Sequence, residues 1–232
     1  MSDLWNSSPI GRLLEEISWE GRSVRAYRDG GRGRENVLTA EALMLLDFLP
    51  RREFLGGVVE SARGADGVRR KLLDGIEHAA VTLLPDETRL GAGVVVQPDA
   101  ALETNDVYGL IEAKRIRTSS FQVPQLSREW TAAWAQAGDR DPLLFLILGA
   151  PPPVPVKGRG RMTIADAILL DLDGPAPKPT PDQIDNNVAW TTWDDVQSAT
   201  VLACGQFTDD STSSSTVLRL SSALVRTIDW HR

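Results

Sequence analysis

Two short apolar segments near the middle of the chain predict adjacent strands. Residues 94–102 and 110–116 are rich in β-branched and other apolar side chains, and the polar residues 103–106 join them. This pattern is typical of two strands linked by a turn. A third segment, residues 142–150 (PLLFLILGA), is apolar without interruption, as expected of a strand that is covered on both faces. We predict that the three strands form a mixed sheet.

Helical spacing of apolar residues predicts the elements that flank this sheet. Within residues 67–84, apolar side chains recur at helical spacing from Val68 to Leu84. A second helix, which ends near Gln136, follows the central strands, and Pro124 suits its first turn. The buried face of this second helix is predicted to carry Leu126, Trp130, Ala133 and Trp134.

The remaining segments predict shorter elements. The predicted helices are residues 40–48 (capped by Thr39), 52–62 and 215–230. The predicted strands are residues 17–27 (a strand or a short hairpin), 164–172 and 188–191, the last followed by a helix capped at Thr192. Residues 151–161 (PPPVPVKGRGR) lack a core-forming pattern and predict an exposed loop. The expected fold class is α/β, with a mixed central β-sheet flanked by helices.

Charged residues interrupt the two central strands. Pro98-Asp99 lies within the first strand, and Glu112-Ala113-Lys114 lies within the second. Because side chains alternate across a strand, Glu112 and Lys114 point to one face, and pairing of the two strands can bring Asp99 beside them. Charges in a central strand are costly unless they are paired or bind a ligand. Two carboxylates and an amine suit a hard divalent cation such as Mg2+, whereas the alternative is a surface charge pair of Glu112 with Lys114.

These motifs, together with Gln125, resemble the PD-(D/E)XK nuclease superfamily over about residues 68–136. The resemblance implies a restriction-endonuclease-like core in which Asp99 and Glu112 hold Mg2+ or Mn2+. The carbonyl of Ala113 is then a further ligand. Lys114 assists the attacking water, and Gln125 on the following helix orients Lys114 or a phosphate.

The resemblance also implies a further carboxylate from the helix that precedes the sheet. Glu77 lies on the flank of the apolar stripe predicted for residues 67–84, so it is the candidate for this additional metal ligand. The alternative is a boundary glutamate that pairs with a nearby arginine. Glu60, on the earlier helix, is the second choice.

Composition limits the classes of partner. The chain has 232 residues and a net charge of −7, which argues against a broad basic footprint for nucleic acid. Local basic clusters can still contact phosphates. The candidate residues are Arg115 and Arg117 beside the proposed site, and Lys157, Arg159 and Arg161 in the proline- and glycine-rich loop. The alternative for each cluster is solvated surface charge.

The sequence also predicts a cellular location. Cys204 is the single cysteine, so an intramolecular disulfide and a cysteine-cluster metal site are both excluded. No apolar run approaches the ~20 residues that a membrane helix needs, and the first residues lack the pattern of a secretory signal. We expect a cytoplasmic protein that does not contact a membrane.

The expected function is therefore metal-dependent hydrolysis of nucleic-acid phosphodiester bonds, with DNA as the expected substrate. The alternative is a catalytically silent nuclease fold that serves as a binding or assembly module in a larger nucleic-acid-processing or defence complex. A protein partner that supplies DNA-binding surface, and a homodimer, both stay open. We expect one domain over residues 1–232, with an N-terminal extension in 1–66, the nuclease-like core in 67–150, and completing strands and helices in 151–232.

Overall fold

The computed structural model describes residues 34–116, 120–172, 178–208 and 211–232. The strand or hairpin predicted for residues 17–27, and Arg117, lie outside the described residues. The described helices are α1 (Arg34–Phe48), α2 (Leu55–Ser61), α3 (Asp66–Asp74), α4 (Gln125–Ala137), α5 (Ile164–Leu169), α6 (Pro181–Asn187), α7 (Trp193–Cys204) and α8 (Thr212–Trp230). None of them combines the length and apolarity that crossing a membrane requires.

The described strands form one main sheet and two small ones. They are β1 (Ala80–Leu83), β2 (Thr88–Arg89), β3 (Val95–Val96), β4 (Ala100–Glu103), β5 (Val107–Ala113), β6 (Asp141–Leu148), β7 (Val154–Val156), β8 (Gly160–Met162) and β9 (Val188–Thr192). The main sheet has five strands in the order β1-β4-β5-β6-β9, while β2 pairs with β3 and β7 with β8. Strands β1, β4 and β5 are antiparallel, and β6 and β9 run parallel to β5. The predicted α/β class with a mixed central sheet is confirmed.

Helices cover both faces of the main sheet. Residues at odd-numbered positions of β5, such as Val107 and Ile111, pack in a core that includes residues of α1, α2, α3, α7 and α8. Leu110 points the other way, into a second core that includes residues of α4, α5 and α6. Because side chains alternate along a strand, Glu112 shares the face of Leu110, and Asp99 shares the face of Ala101. Both carboxylates therefore lie on the side that α4 covers.

The predicted helix over residues 67–84 is wrong beyond its first half. Helix α3 ends at Asp74, and a 3₁₀ turn over Ile76–His78 leads into β1. Strand β1 pairs with β4 along its whole length, so its main-chain groups gain partners from a strand distant in sequence. The apolar residues Ile76 and Leu83 stay buried in this arrangement. Periodicity identified most of the buried positions correctly, although Ala80 is exposed, and it gave the wrong element type.

Proline interrupts the strand predicted for residues 94–102. Val95–Val96 pairs with β2 in a small separate sheet, and β4 begins only at Ala100. Pro98 lacks a main-chain N–H and cannot continue a strand ladder. The strands predicted for residues 110–116 and 142–150 are present as β5 and β6, with β5 displaced toward the N-terminus.

The structure corrects three other predictions. Residues 164–169 are the helix α5 and not a strand, because the Thr163 hydroxyl accepts the N–H of Asp166 and caps a helical turn. Helix α1 begins at Arg34, so Thr39 is a buried helical residue and not a cap. Trp134 is 46% exposed and does not join the buried face of α4.

The elements near the C-terminal end of the chain agree better with the sequence. Strand β9 covers the predicted residues, and Thr192 and Asp195 form the predicted capping box of α7. Helix α8 contains the predicted residues and begins at Thr212. The segment 151–161, predicted to be an exposed loop, instead contributes β7 and most of a hairpin, with Val154 and Val156 buried.

Candidate functional site

The two motif carboxylates lie opposite each other on neighbouring strands. In the pairing of β4 with β5, Ala100 lies beside Ile111, and continuing this register by one residue puts Asp99 across from Glu112. The Oδ2 atom of Asp99 accepts a hydrogen bond of 2.8 Å from the main-chain N–H of Ala113. Asp99 is therefore held at the end of the ladder, on the same face as Glu112.

Glu112 and Lys114 form a buried ion pair. The Lys114 Nζ lies 2.7 Å from the Glu112 Oε1, and their side chains are only 9% and 7% exposed. The Lys114 ammonium also lies 5.0 Å from the centroid of the Phe121 ring, a distance at which the ring face attracts a cation. The alternative of a plain surface charge pair is wrong, because both charges are out of water.

Gln125, the first residue of α4, reaches the same point. Its Nε2 donates a hydrogen bond of 2.6 Å to the Glu112 Oε1, so this oxygen accepts from both Gln125 and Lys114. In the resemblance Gln125 orients Lys114 or a phosphate. Here Gln125 donates to Glu112, and through Glu112 it fixes the acceptor that Lys114 binds.

A third carboxyl group, that of Glu129, lies beside these residues and was missed by the sequence analysis. Glu129 follows Gln125 by one helical turn on α4 and is 3% exposed. Its Oε2 atom has no hydrogen-bond partner among the described residues. The pKa of Glu129 is raised well above its ordinary value, chiefly by burial and then by the negative charge of Glu112; Lys114 and a hydrogen bond with Gln125 oppose the rise.

One sequence signal could have identified Glu129. Glu129 belongs to the apolar stripe of α4 that also contains Leu126, Trp130 and Ala133. A glutamate on the buried face of a helix is rarely tolerated without a partner. The four-residue spacing from Gln125 puts the two side chains on the same face of the helix.

Glu77 does not join the cluster. It lies exposed in the 3₁₀ turn, and its Oε1 accepts the main-chain N–H of Arg52 at 3.1 Å. Strand β1 runs from Ala80, beside Glu103, to Leu83, beside Ala100. Since Glu77 precedes Ala80, it lies beyond the end of the sheet that is opposite to Asp99. The geometry thus corrects the expectation of a carboxylate from the preceding helix.

Glu60, the second choice, is also remote. It is exposed on α2, whose buried residues Val58 and Val59 pack in the core on the other face of the sheet from Glu112. Neither glutamate preceding the sheet shares a surface with Asp99. The carboxyl group that does lie beside Glu112 is that of Glu129, on the helix that follows β5.

Some of the predicted phosphate-binding residues meet near Lys114. Arg115 and Arg161 both line a small cavity of about 90 Å³ together with Lys114. The hairpin of β7 and β8 that carries Arg161 is fastened to Phe121 by two main-chain hydrogen bonds, to Pro155 and from Lys157, each of 2.9 Å. The side chains of Lys157 and Arg159 are not among the cavity-lining groups.

The donor set suits a hard cation that binds few protein ligands. Within the described ranges, no group of three or more His, Cys, Asp or Glu side chains is placed to hold a metal ion. Asp99, Glu112 and the carbonyl of Ala113 offer oxygen atoms, and Mg2+ commonly binds one or two carboxylates and completes its shell with water and substrate phosphate. The unpartnered Glu129 Oε2 is a further buried oxygen at this point. The residues fit such a partly hydrated ion and not a closed protein cage.

Comparisons of the chain with protein-family models, with curated protein sequences and with solved structures found no match. The resemblance to PD-(D/E)XK nucleases consequently rests on the motif residues. The geometry of those residues carries the case for a function.

Proposed function

We propose that the protein is a Mg2+- or Mn2+-dependent phosphodiesterase of the PD-(D/E)XK type that hydrolyses nucleic acid, with DNA as the expected substrate. One observation carries this proposal. Asp99, Glu112, Lys114 and Gln125 come from two strands and a helix, and they converge at one point on the α4 face of the sheet. Their order along the chain and their positions on these elements support a restriction-endonuclease-like core.

The carboxylates have the role of holding the cation. Asp99 and Glu112 would bind it, with the carbonyl of Ala113 as a further ligand. The cation, when bound, lowers the pKa of a coordinated water and offsets negative charge on the phosphate. Both side chains are held by hydrogen bonds from neighbouring groups, so little reorganisation is needed to present their oxygens.

Lys114 has the role of positioning the water and the phosphate. Its ammonium is held by Glu112 and the Phe121 ring, and Lys114 is also one of the residues that line the small cavity. Its main-chain N–H donates to the carbonyl of Ile147 at 2.7 Å. A cation fixed in this way can donate a hydrogen bond to an oxygen of the reacting phosphate without first losing conformational freedom.

The burial of the Glu112–Lys114 pair also supports the catalytically silent alternative. The Glu112 Oε1 already accepts two hydrogen bonds, and a satisfied buried pair can serve a structural role alone. In that case the fold would bind or assemble without cleaving. The two functions differ in a single measurable property, which is cation-dependent turnover.

The test is incubation of linear and of covalently closed circular DNA with the protein in Mg2+, in Mn2+ and in EDTA. We expect cleavage that requires the cation and that is abolished in Asp99→Asn. The matched control is Glu77→Gln, which removes a carboxylate from the far end of the sheet. Absence of cleavage in every condition, with DNA binding retained, would favour the silent module. Equal activity in Asp99→Asn would reject the site.

A further inference from the structure

The cavity beside Lys114 is formed where β5 and β6 end. The described residues that line it are Lys114, Arg115, Ile116, Phe121, Leu148, Gly149, Ala150, Val154, Pro155 and Arg161. They come from the ends of both strands, from the segment before α4, and from the hairpin of β7 and β8. The volume of about 90 Å³ corresponds to about three water molecules in the liquid, which leaves room for one small tetrahedral anion.

The charge of this lining differs from that of the whole protein. Three of the described lining residues, Lys114, Arg115 and Arg161, are cationic and none is acidic, although the chain as a whole carries −7. Like charges gathered around a concave surface raise the local concentration of an opposite charge. The lining therefore favours an anion, and the guanidinium groups suit the oxygens of phosphate.

Close main-chain contacts determine the shape of the cavity. A Cβ atom placed on Gly149 would collide with the carbonyl oxygens of Arg115 and of Ile116, the second at 2.7 Å. Only glycine allows the Arg115–Ile116 segment to lie against the end of β6 in this way. On the opposite side, an isolated β-bridge between Phe121 and Val156 holds the hairpin in place. The wall that carries Arg115 thus lies against the end of β6, and the wall that carries Arg161 is anchored to the segment that precedes α4.

We propose that this cavity is a second phosphate subsite, which binds a backbone phosphate of the nucleic acid next to the phosphate that is cleaved. The proposal rests on the proposed function and names how its substrate is held. Lys114 connects the two positions, because its ammonium contacts Glu112 and the residue itself lines the cavity. Arg115 and Arg161 then neutralise the neighbouring phosphate. Asp99 and Glu112 would hold the cation at the phosphate that is cleaved.

The test is a comparison of Arg161→Ala with Arg219→Ala. Arg161 lines the cavity, whereas Arg219 is exposed on α8, which packs on the opposite face of the sheet. Each variant loses one positive charge, so a general electrostatic effect would be equal in both. Binding of a labelled single-stranded and a labelled double-stranded oligonucleotide is measured by fluorescence anisotropy in EDTA over a range of salt concentrations.

We expect Arg161→Ala to weaken binding by about tenfold. The slope of log affinity against log salt should also become shallower by about 1, the change expected when one phosphate contact is lost. Arg219→Ala should leave both unchanged, and Arg161→Lys should restore most of the slope. Equal effects of the two alanine variants would overturn the subsite. Because these measurements are made without a divalent cation, they are independent of whether the protein cleaves.

A further arm separates a backbone phosphate from a free phosphate ion. Inorganic phosphate is titrated as a competitor against the labelled oligonucleotide, and an oligonucleotide with one neutral methylphosphonate at each position in turn is compared with the unmodified strand. The subsite is supported if a methylphosphonate at one position weakens binding to the wild-type protein but not to Arg161→Ala. Competition by inorganic phosphate that depends on Arg161, with no position-specific loss, would overturn the backbone assignment and indicate a site for the free ion.

Discussion

The indole Nε1 of Trp193 donates a hydrogen bond of 2.8 Å to the main-chain carbonyl of Lys114. Trp193 is the first residue of α7 and is 1% exposed. Because the N–H of Lys114 donates to Ile147, both main-chain polar groups of the lysine are fixed by elements that follow it in the chain. The position of the proposed catalytic ammonium thus depends on residues far outside the motif.

Replacing Trp193 by Phe should slow turnover through this contact. The substitution keeps an aromatic ring in the core and leaves the buried carbonyl of Lys114 without its donor, at a cost to stability of about 1–3 kcal/mol. We expect single-turnover cleavage to slow while the affinity for DNA in EDTA is unchanged. Trp230→Phe, at a 47% exposed position on α8, is the control. A Trp193 variant that is destabilised but cleaves at the wild-type rate would reduce this contact to a structural role.

Removing Glu112 should destabilise the protein, although repulsion among clustered carboxylates alone would predict the reverse. Its loss removes the carboxylate that pairs with the 8% exposed Lys114, and removing one partner of a buried ion pair costs about 3–5 kcal/mol. We therefore expect Glu112→Ala and Lys114→Met each to lower the free energy of unfolding in urea. The double variant should lose less than the sum of the two single losses. Additive losses would show that the two charges do not stabilise each other.

The raised pKa of Glu129 predicts how stability depends on pH. The native state keeps a proton that the unfolded chain releases above about pH 4.3, so stability should fall as the pH rises from there through the native pKa of Glu129. Glu129→Gln cannot ionise. In urea titrations without divalent cations, it should match wild type near pH 4 and exceed it at pH 7. A constant difference across that range would contradict the assignment, and the exposed Glu77→Gln serves as the control.

Gly149→Ala should disturb the cavity wall. The added methyl group meets the main-chain carbonyls of Arg115 and Ile116, so this segment must shift away from the end of β6. We expect a loss of stability of about 1–3 kcal/mol together with weaker oligonucleotide binding. Gly57→Ala is the matched control, because a Cβ there meets nothing within 4 Å in helix α2, and alanine favours helix by about 0.5–1 kcal/mol. A Gly149 variant as stable as wild type would show that the contact is relieved easily.

Local pattern determined some elements of this protein well. The uninterrupted apolar run of β6 and the capping box of α7 are present as the sequence predicts, because each depends on residues adjacent in the chain. The spacing of apolar residues in 67–84 predicts a helix, but it is equally compatible with the observed turn and strand. Ile76 and Leu83 are buried in this turn and strand. The choice between a helix and these elements depends on hydrogen bonds from β4, which follows later in the chain.

By itself, the sequence determined that Glu112 and Lys114 share one face of a strand, whereas the place of Asp99 beside them depends on the pairing of β4 with β5. The alternation of side chains along β5 is a property of the strand, and Glu112 and Lys114 are two residues apart. Only the tertiary structure decided that Glu129, and not Glu77, lies beside Glu112, and that Arg161 shares a cavity with Lys114. Periodicity specifies which residues share a face of an element, but packing between elements decides which faces meet.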